Sequence, residues 1–136
     1  MLGIVMAVMA VLTAGPPAAT DVYAAGQVWE YRTRPQEPDS RLVIRWVEDD
    51  PALGRIYHVT LTDLHLRDGR VIDLAHAPVS TQTMDASVTE LSGETPELGD
   101  WRPAMADWRL HQGRVFTIPV AQIVTIVDGQ VSGAAR

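Results

Sequence analysis

The segment His76-Ala-Pro-Val-Ser80 sets a histidine and a hydroxyl four residues apart, where an extended run gives way to a helical pattern. A serine nucleophile needs a base within hydrogen-bond reach, and Ser80 with His76 is the only close pair of that kind. Extended backbone carries the two side chains apart, and Pro78 reinforces the extension by keeping the residue before it out of the helical region. None of the serines at 40, 80, 87, 92 and 132 lies in a G-x-S-x-G elbow. Ser80 also stands where a helix N-cap belongs, with Val79 and Met84 spaced as a hydrophobic staple. The corner is expected to be structural, with His76 held as a catalytic candidate.

Metal ligands must converge within a few ångströms of one centre. His58 and His65 share one long extended run, where seven residues at 3.3 Å each separate them by ~23 Å. Asp68-Gly69 is a strong hairpin turn. The register expected across it sets His65 opposite Ile72 or Asp73, and His76 opposite Leu61 or Thr62, so that no two histidines meet. His111 falls at the end of a helical pattern, where a cation suits the helix dipole. No metal site and no cofactor is expected: a phosphate-binding glycine loop, a dinucleotide fingerprint and a calcium loop are all missing from the sequence. Among the acids, Asp63, Asp73 and Asp85 sit inside or beside regular elements. Asp63 and Asp73 are expected within about two positions of each other across the hairpin. Paired carboxylates serve acid–base chemistry or cation binding, so a small hydrolase using His76 with Asp63 or Asp73 is one functional alternative.

Trp29, Tyr31, Trp46 and Tyr57 come from the first three extended runs, interleaved with Arg32, Arg34, Arg41 and Arg45. Trp, Tyr and Arg are the usual anchors of protein interfaces. They either form such a surface or divide, aromatics into the core and arginines over the exposed face. Arg32, Arg45, His58 and His65 are the candidate binding residues.

The elements that must position these groups follow from periodicity. Gln27–Arg34 alternates as a half-buried strand, and Arg41–Glu48 is a second, with Leu42, Ile44 and Trp46 on one face. In the third run, Tyr57, Val59 and Leu61 share a face, while Leu64 and Leu66 fall out of phase by one residue. A β-bulge near Thr62-Asp63 would restore them and leave His58, Thr60 and His65 on the other face. Arg70–Ala77 is a fourth strand. Met84, Val88 and Leu91 then recur at helical spacing. A second helix runs from an Asp100 N-cap to a Gly113 stop, with Trp101, Met105 and Trp108 on one side. Pro119 opens a third, with Val120, Ile123, Val124 and Val127 as its apolar stripe and a frayed tail behind it. The expected fold is α+β: an antiparallel meander of about four strands, then about three helices packed on one face, leaving the other face polar and available.

Residues 1–24 match a secretory signal peptide, with an apolar run from Leu2 to Leu12 that is too short to span a bilayer. Val22-Tyr23-Ala24 satisfies a small-residue cleavage rule, so the domain is taken as 25–136, with Ala19 as a second candidate boundary. The expected location is the periplasm or the exterior, with no membrane span after cleavage. The chain has no Cys, which removes disulfides, thiolate metal sites and cysteine nucleophiles together. Its net charge is -6, every cation is Arg, and no basic run exists, which argues against nucleic acid. Nothing in the sequence sets the oligomeric state.

The segments "GQVWEYRTRPQEPDSRLVI", "HAPVS" leading into "SVTEL", and "GRVFTIPVAQIV" resemble a family of small bacterial exported proteins of uncharacterised activity. That resemblance covers nearly all of Gly26 to Val127. It implies one intact domain and transfers no chemistry. Small size, export, acidity and the lack of a recognisable catalytic set point to a non-catalytic periplasmic or secreted protein-binding module, inhibitor- or immunity-like in one concrete form. An envelope protein is then the expected partner. A small hydrolase and an envelope ligand carrier are the alternatives.

Overall fold

Five strands form one antiparallel sheet in a computed structural model that describes residues 22–134. They are β1 (Val28–Tyr31), β2 (Leu42–Asp50), β3 (Gly54–His65), β4 (Val71–Ser80) and β5 (Val88–Ser92), in the spatial order β4-β3-β2-β1-β5. The helices are α1 (Thr81–Ser87), α2 (Arg102–Leu110) and α3 (Val120–Ala134). The class is α+β, as the periodicity predicts. None of the described helices is long and apolar enough to cross a membrane.

The fifth strand is the first correction. Val88 and Leu91 continue no helix: α1 stops at Ser87, and the chain turns extended to pair with β1, setting Trp29 opposite Leu91 and Glu30 opposite Glu90. Without β5, the outer edge of β1 would present unpaired backbone groups. Pairing them outweighs a weak helical periodicity. Ser80 caps α1 as expected, accepting from the Thr83 N–H at 3.1 Å, and the staple residues Val79 and Met84 are both fully buried. The tail is not frayed as far as it is described: α3 runs to Ala134, and Ser132 Oγ donates to Asp128 at 2.8 Å.

Each central strand carries one extra residue. On β2 the register shifts between Ile44 and Trp46, and on β3 between Leu61 and Leu64. On β4 the shift falls opposite Val59 and Leu61, whose partners are Ala77 and Leu74. The β3 bulge is the one expected, and Asp63 sits in it with φ 53. The other two reassign faces. Val47, not Trp46, joins Leu42 and Ile44 against the core, and Trp46 turns outward, 49% exposed.

The core lies on one face of the sheet, where Ile44, Tyr57, Val59 and Leu61 meet Met84 of α1 and Ile123 and Val124 of α3. The opposite face is neither open nor free of helices. α2 lies across it, with Trp108 against the rings of His58 and His76. The expectation of three helices on one face and a wet polar face fails for this reason: His58 and Thr60 are polar but buried, and they need a cover.

Arg34 does not coat a surface. It is 9% exposed, forks onto fully buried Glu37 and reaches Asp128 of α3 at 3.0 Å. Glu37 also accepts the His65 N–H, and Asp128 accepts the Arg67 N–H and the Ser132 hydroxyl. The cluster ties the β1–β2 loop, the β3–β4 hairpin and α3 together. Burial alone would raise the Asp128 carboxyl, but the Arg67 N–H, Ser132 and Arg34 hold it below its ordinary value.

Residues 1–21 of the expected leader lie outside the described residues. Tyr23 falls within the leader as drawn, yet it is 8% exposed in the core, edge-on to Tyr57 and Trp29, with its hydroxyl donating to Asp85 at 2.6 Å.

Two outcomes follow. Arg34→Ala leaves two buried carboxylates without their cation and lowers unfolding free energy by about 3–5 kcal/mol in urea titrations. Arg34→Lys recovers only part of that, because an ammonium does not fork. A chain beginning at Ala25 is less stable than one beginning at Thr20 by about 2–4 kcal/mol, the cost of removing a buried aromatic side chain. Equal midpoints would remove Tyr23 from the folding unit.

Candidate functional site

On the α2 side of the sheet, four charged or titratable groups stand in line. Arg109 of α2 donates to Glu48 Oε2 at 2.7 Å, Glu48 Oε2 meets His58 Nε2 at 2.5 Å, and His58 Nδ1 meets His76 Nε2 at 2.8 Å. Glu48, His58 and His76 come from β2, β3 and β4. The two imidazoles stack with centroids 5.0 Å apart and planes 17° from parallel.

The expectation that no two histidines meet is therefore overturned. Strict alternation from Leu74 would put His76 among the core side chains. The extra residue on β4 lets Leu74 and Ala77 both face the core, so His76 shares the other face with His58. His65 pairs opposite Val71, not opposite Ile72 or Asp73.

Above the pair lies α2. Trp108 packs edge-on against both histidines, with centroids at 5.2 and 5.9 Å, and Trp101 lies flat over His58 at 6.5 Å. The turn after α2 holds Trp108 in place. Gln112 takes φ 51, the Gly113 N–H donates to the Trp108 carbonyl, and the Trp108 indole N–H donates to the Arg114 carbonyl. A Cβ on Gly113 would come within 1.9 Å of the indole, so that position admits only glycine.

The electrostatics favour one protonation pattern. Burial would raise the Glu48 carboxyl, but the hydrogen bonds from Arg109 and His58 outweigh it and leave its pKa below the ordinary value. Glu48 is thus the acceptor and His58 Nε2 the donor. His58 Nδ1 then accepts from His76 Nε2–H, and His76 Nδ1 holds the outward lone pair. Burial lowers both histidines, most of all His76, which falls to about 4 with the added repulsion of His58 and Arg109. Both rings are neutral near pH 7. Two positive charges at such separation would repel by about 3 kcal/mol at an effective dielectric of 20.

The remaining candidates divide. Arg45 shares this face: its guanidinium donates to Thr60 Oγ1 at 2.8 Å and to the Gly99 carbonyl at 3.3 Å, and it lies 6.0 Å from the Trp101 ring centre. It makes no ion pair with a described carboxylate, and burial lowers its pKa. Arg45, Trp46, Trp101 and Arg102 line a groove of about 520 Å³. Arg32 instead reaches the Ala86 carbonyl of α1, and His65 pairs with Asp63 at 3.5 Å, so neither joins Arg45. Asp73 is near Asp63 as expected, accepting the Asp63 N–H at 2.9 Å. That acceptor holds the bulge closed, and no described contact joins His76 to either aspartate. Asp85 accepts from Tyr23. Glu48, Trp108 and Arg109 belong to the site without being marked in the sequence as site residues. Glu48 closes the second extended run, Arg41–Glu48, as its last residue, and its placement opposite Ile56, beside His58, needs the β2 bulge.

Among the described residues, no three of His, Asp and Glu surround a common point suited to a metal ion. Glu48, His58 and His76 form a chain rather than a cage. Such a chain orients an imidazole and relays a proton. No described serine or threonine hydroxyl hydrogen-bonds to His76.

No family model, no curated protein and no solved structure matches this chain. The family resemblance rests on the quoted segments alone.

The histidines make stability depend on pH with a definite sign. Their folded pKa values lie below the unfolded value of about 6.5, so the unfolded chain takes up protons first. Stability is full above about pH 6.5 and drains as pH falls towards about 4. The carboxylates with lowered pKa values act below that window. Urea midpoints are expected to fall from about pH 7 to about pH 4.5 by an amount equivalent to about 2 kcal/mol, and His76→Gln to flatten that slope.

Proposed function

We propose that this chain is a non-catalytic protein-binding module of the periplasm or exterior, inhibitor- or immunity-like, whose contact site is the Arg45–Trp46–Trp101 groove. The observation that carries this reading is Trp46, 49% exposed beside the Arg45 guanidinium, whose hydrogen bonds go to Thr60 and Gly99 and which meets Asp100 only through space. A tryptophan held outward by a bulge, next to an arginine stacked on a second tryptophan, has the composition of an interface hot spot. Arg102 adds a second cation, answered by Asp100 at 2.9 Å. In a chain of net charge -6, this local positive excess suits an acidic loop of a partner protein, with a carboxylate on Arg45 and an apolar side chain against Trp46.

The hydrolase alternative has one observation in its favour, the Glu48–His58–His76 line, which has the form of a base and its orienting groups. Trp108 covers it, and no described serine or threonine hydroxyl bonds to His76. The version built on Asp63 or Asp73 finds no geometric support, because both serve the hairpin bulge.

The test is affinity capture from envelope and secreted extracts of the source organism, with the chain immobilised beside Arg45→Ala and Trp46→Ala controls. Expected is one stoichiometric partner whose affinity drops about 30-fold or more in either variant, the loss of a hot-spot side chain. A wild-type column that retains no partner at low salt, or a partner held equally by both variants, overturns the assignment.

A further inference from the structure

α2 is attached to the sheet without burying any residue of its own. Its side-chain ties to the strands are few. Trp108 rests on the two imidazoles, and Arg109 pairs with Glu48. Just before the helix, Trp101 rests on His58, and the Gly99 carbonyl accepts from Arg45. All of the rings beneath it are titratable, and the ion pair ends on the carboxylate that orients them. By contrast, α3 places Val120, Ile123 and Val124 in the core and is pinned by Asp128 to Arg34.

The hydrogen-bond pattern distinguishes a first proton from a second. One added proton enters at His76 Nδ1, while the His76 Nε2 proton moves to His58 Nδ1. His58 then donates from both nitrogens, to Glu48 and to His76 Nε2, and every hydrogen bond survives. A second proton must sit on His76 Nε2. Both nitrogens of the 2.8 Å contact then carry hydrogens, and the bond becomes a clash between two cations.

We infer that α2 is an acid-released latch: it stays closed over the sheet while the His58–His76 pair holds at most one added proton, and it opens when the pair takes the second. The charged groups facing the pair do not oppose this. On β2, Glu48 serves His58 and already accepts from Arg109, while Arg45 brings a further positive charge to the same face. On β3 and β4 the neighbours are the histidines themselves. From α2, Arg109 repels both. At the start of the helix, Arg102 and Asp100 pair with each other. At its end His111 lies near Asp107 at 3.4 Å, a contact within the helix that does not tie it to the sheet. No described carboxylate reaches His76. The low pKa of His76 places the second uptake in acid, and Glu48 keeps its charge below the usual carboxylate range, so His58 retains its counter-ion while His76 has none. Opening exposes Trp108 and the polar faces of β2, β3 and β4.

The test is amide and indole hydrogen exchange by NMR on the ¹⁵N-labelled full-length chain, stepped from about pH 7 to about pH 3.5, with the histidine ring nitrogens followed in the same samples. Expected is a loss of protection of about tenfold or more, corrected for intrinsic exchange, at the Trp108 indole and across Arg102–Leu110. Ile123 and Val124 of α3 keep theirs, and the midpoint coincides with the second ring titration. His76→Gln, which still offers an amide donor and acquires no charge, holds α2 closed over the same range. α2 protected throughout, α2 and α3 opening together, opening with the first ring titration, or His76→Gln opening like the wild type would each overturn the latch. The ring titration of the unaltered chain decides the matter alone if the variant does not fold.

Discussion

The sheet must bury one continuous apolar face, although each of its three central strands carries a residue too many for strict alternation. The solution is three bulges, each leaving two core-facing residues three positions apart: Ile44 and Val47, Leu61 and Leu64, Leu74 and Ala77. A bulge bends its strand and re-aims what lies within it. Arg45 and Trp46 sit in the first, Asp63 in the second and His76 in the third. The candidate chemistry of this chain is therefore a by-product of register. If β4 were paired without its extra residue, His76 would point at the core and the His58–His76 contact would vanish.

That dependence also explains what the sequence made legible. The β3 bulge could be read because Leu64 and Leu66 are strongly apolar and visibly out of phase with Leu61. The β4 bulge could not, because Ala75 and Ala77 are nearly equivalent in hydropathy and hide the phase change. The β2 bulge was masked by Trp46, which is apolar enough to pass for a core residue while sitting on the outer face. Capping and turn chemistry are local and legible: Ser80, Asp68-Gly69 and Pro119 stand where their types imply, whereas the left-handed stop after α2 falls on Gln112, one residue before Gly113. Arg34 was assigned to the surface by its charge. The fork onto Glu37 and the distant Asp128, 94 positions along the chain, together make its burial tolerable. Pairings of that range leave no periodic trace.

Two polar networks, one on each side of the sheet, attach helices to it in different ways. The Arg34–Glu37–Asp128 cluster joins permanent charges, with its carboxylates also accepting backbone N–H groups, and no described buried side-chain polar atom is left without a partner. A guanidinium keeps its proton across the physiological range, and Asp128 holds its charge below the ordinary carboxylate range, so the Arg34–Asp128 tie to α3 outlasts the range in which the histidines titrate. The Arg109–Glu48–His58–His76 line uses imidazoles for the same task, and they hold only in one protonation pattern. Removing a buried charge's partner costs more than the pair contributes. The Arg34–Asp128 pair therefore yields only at lower pH than the imidazole line, which fails by its own titration.

The position of Trp101 joins these considerations to binding. It covers His58 on one side and supports Arg45 on the other, so the groove floor and the histidine cover share a ring. A partner seated on Arg45 and Trp46 presses on the segment that leads into α2. Contacts it makes with Trp101 exist only while α2 is closed, and such a partner favours the closed form by its differential affinity. By reciprocity, protons that favour the open form weaken that partner. On the proposed binding role and latch, such a surface would release its target on acidification through groups that lie beneath the indole rather than against the ligand.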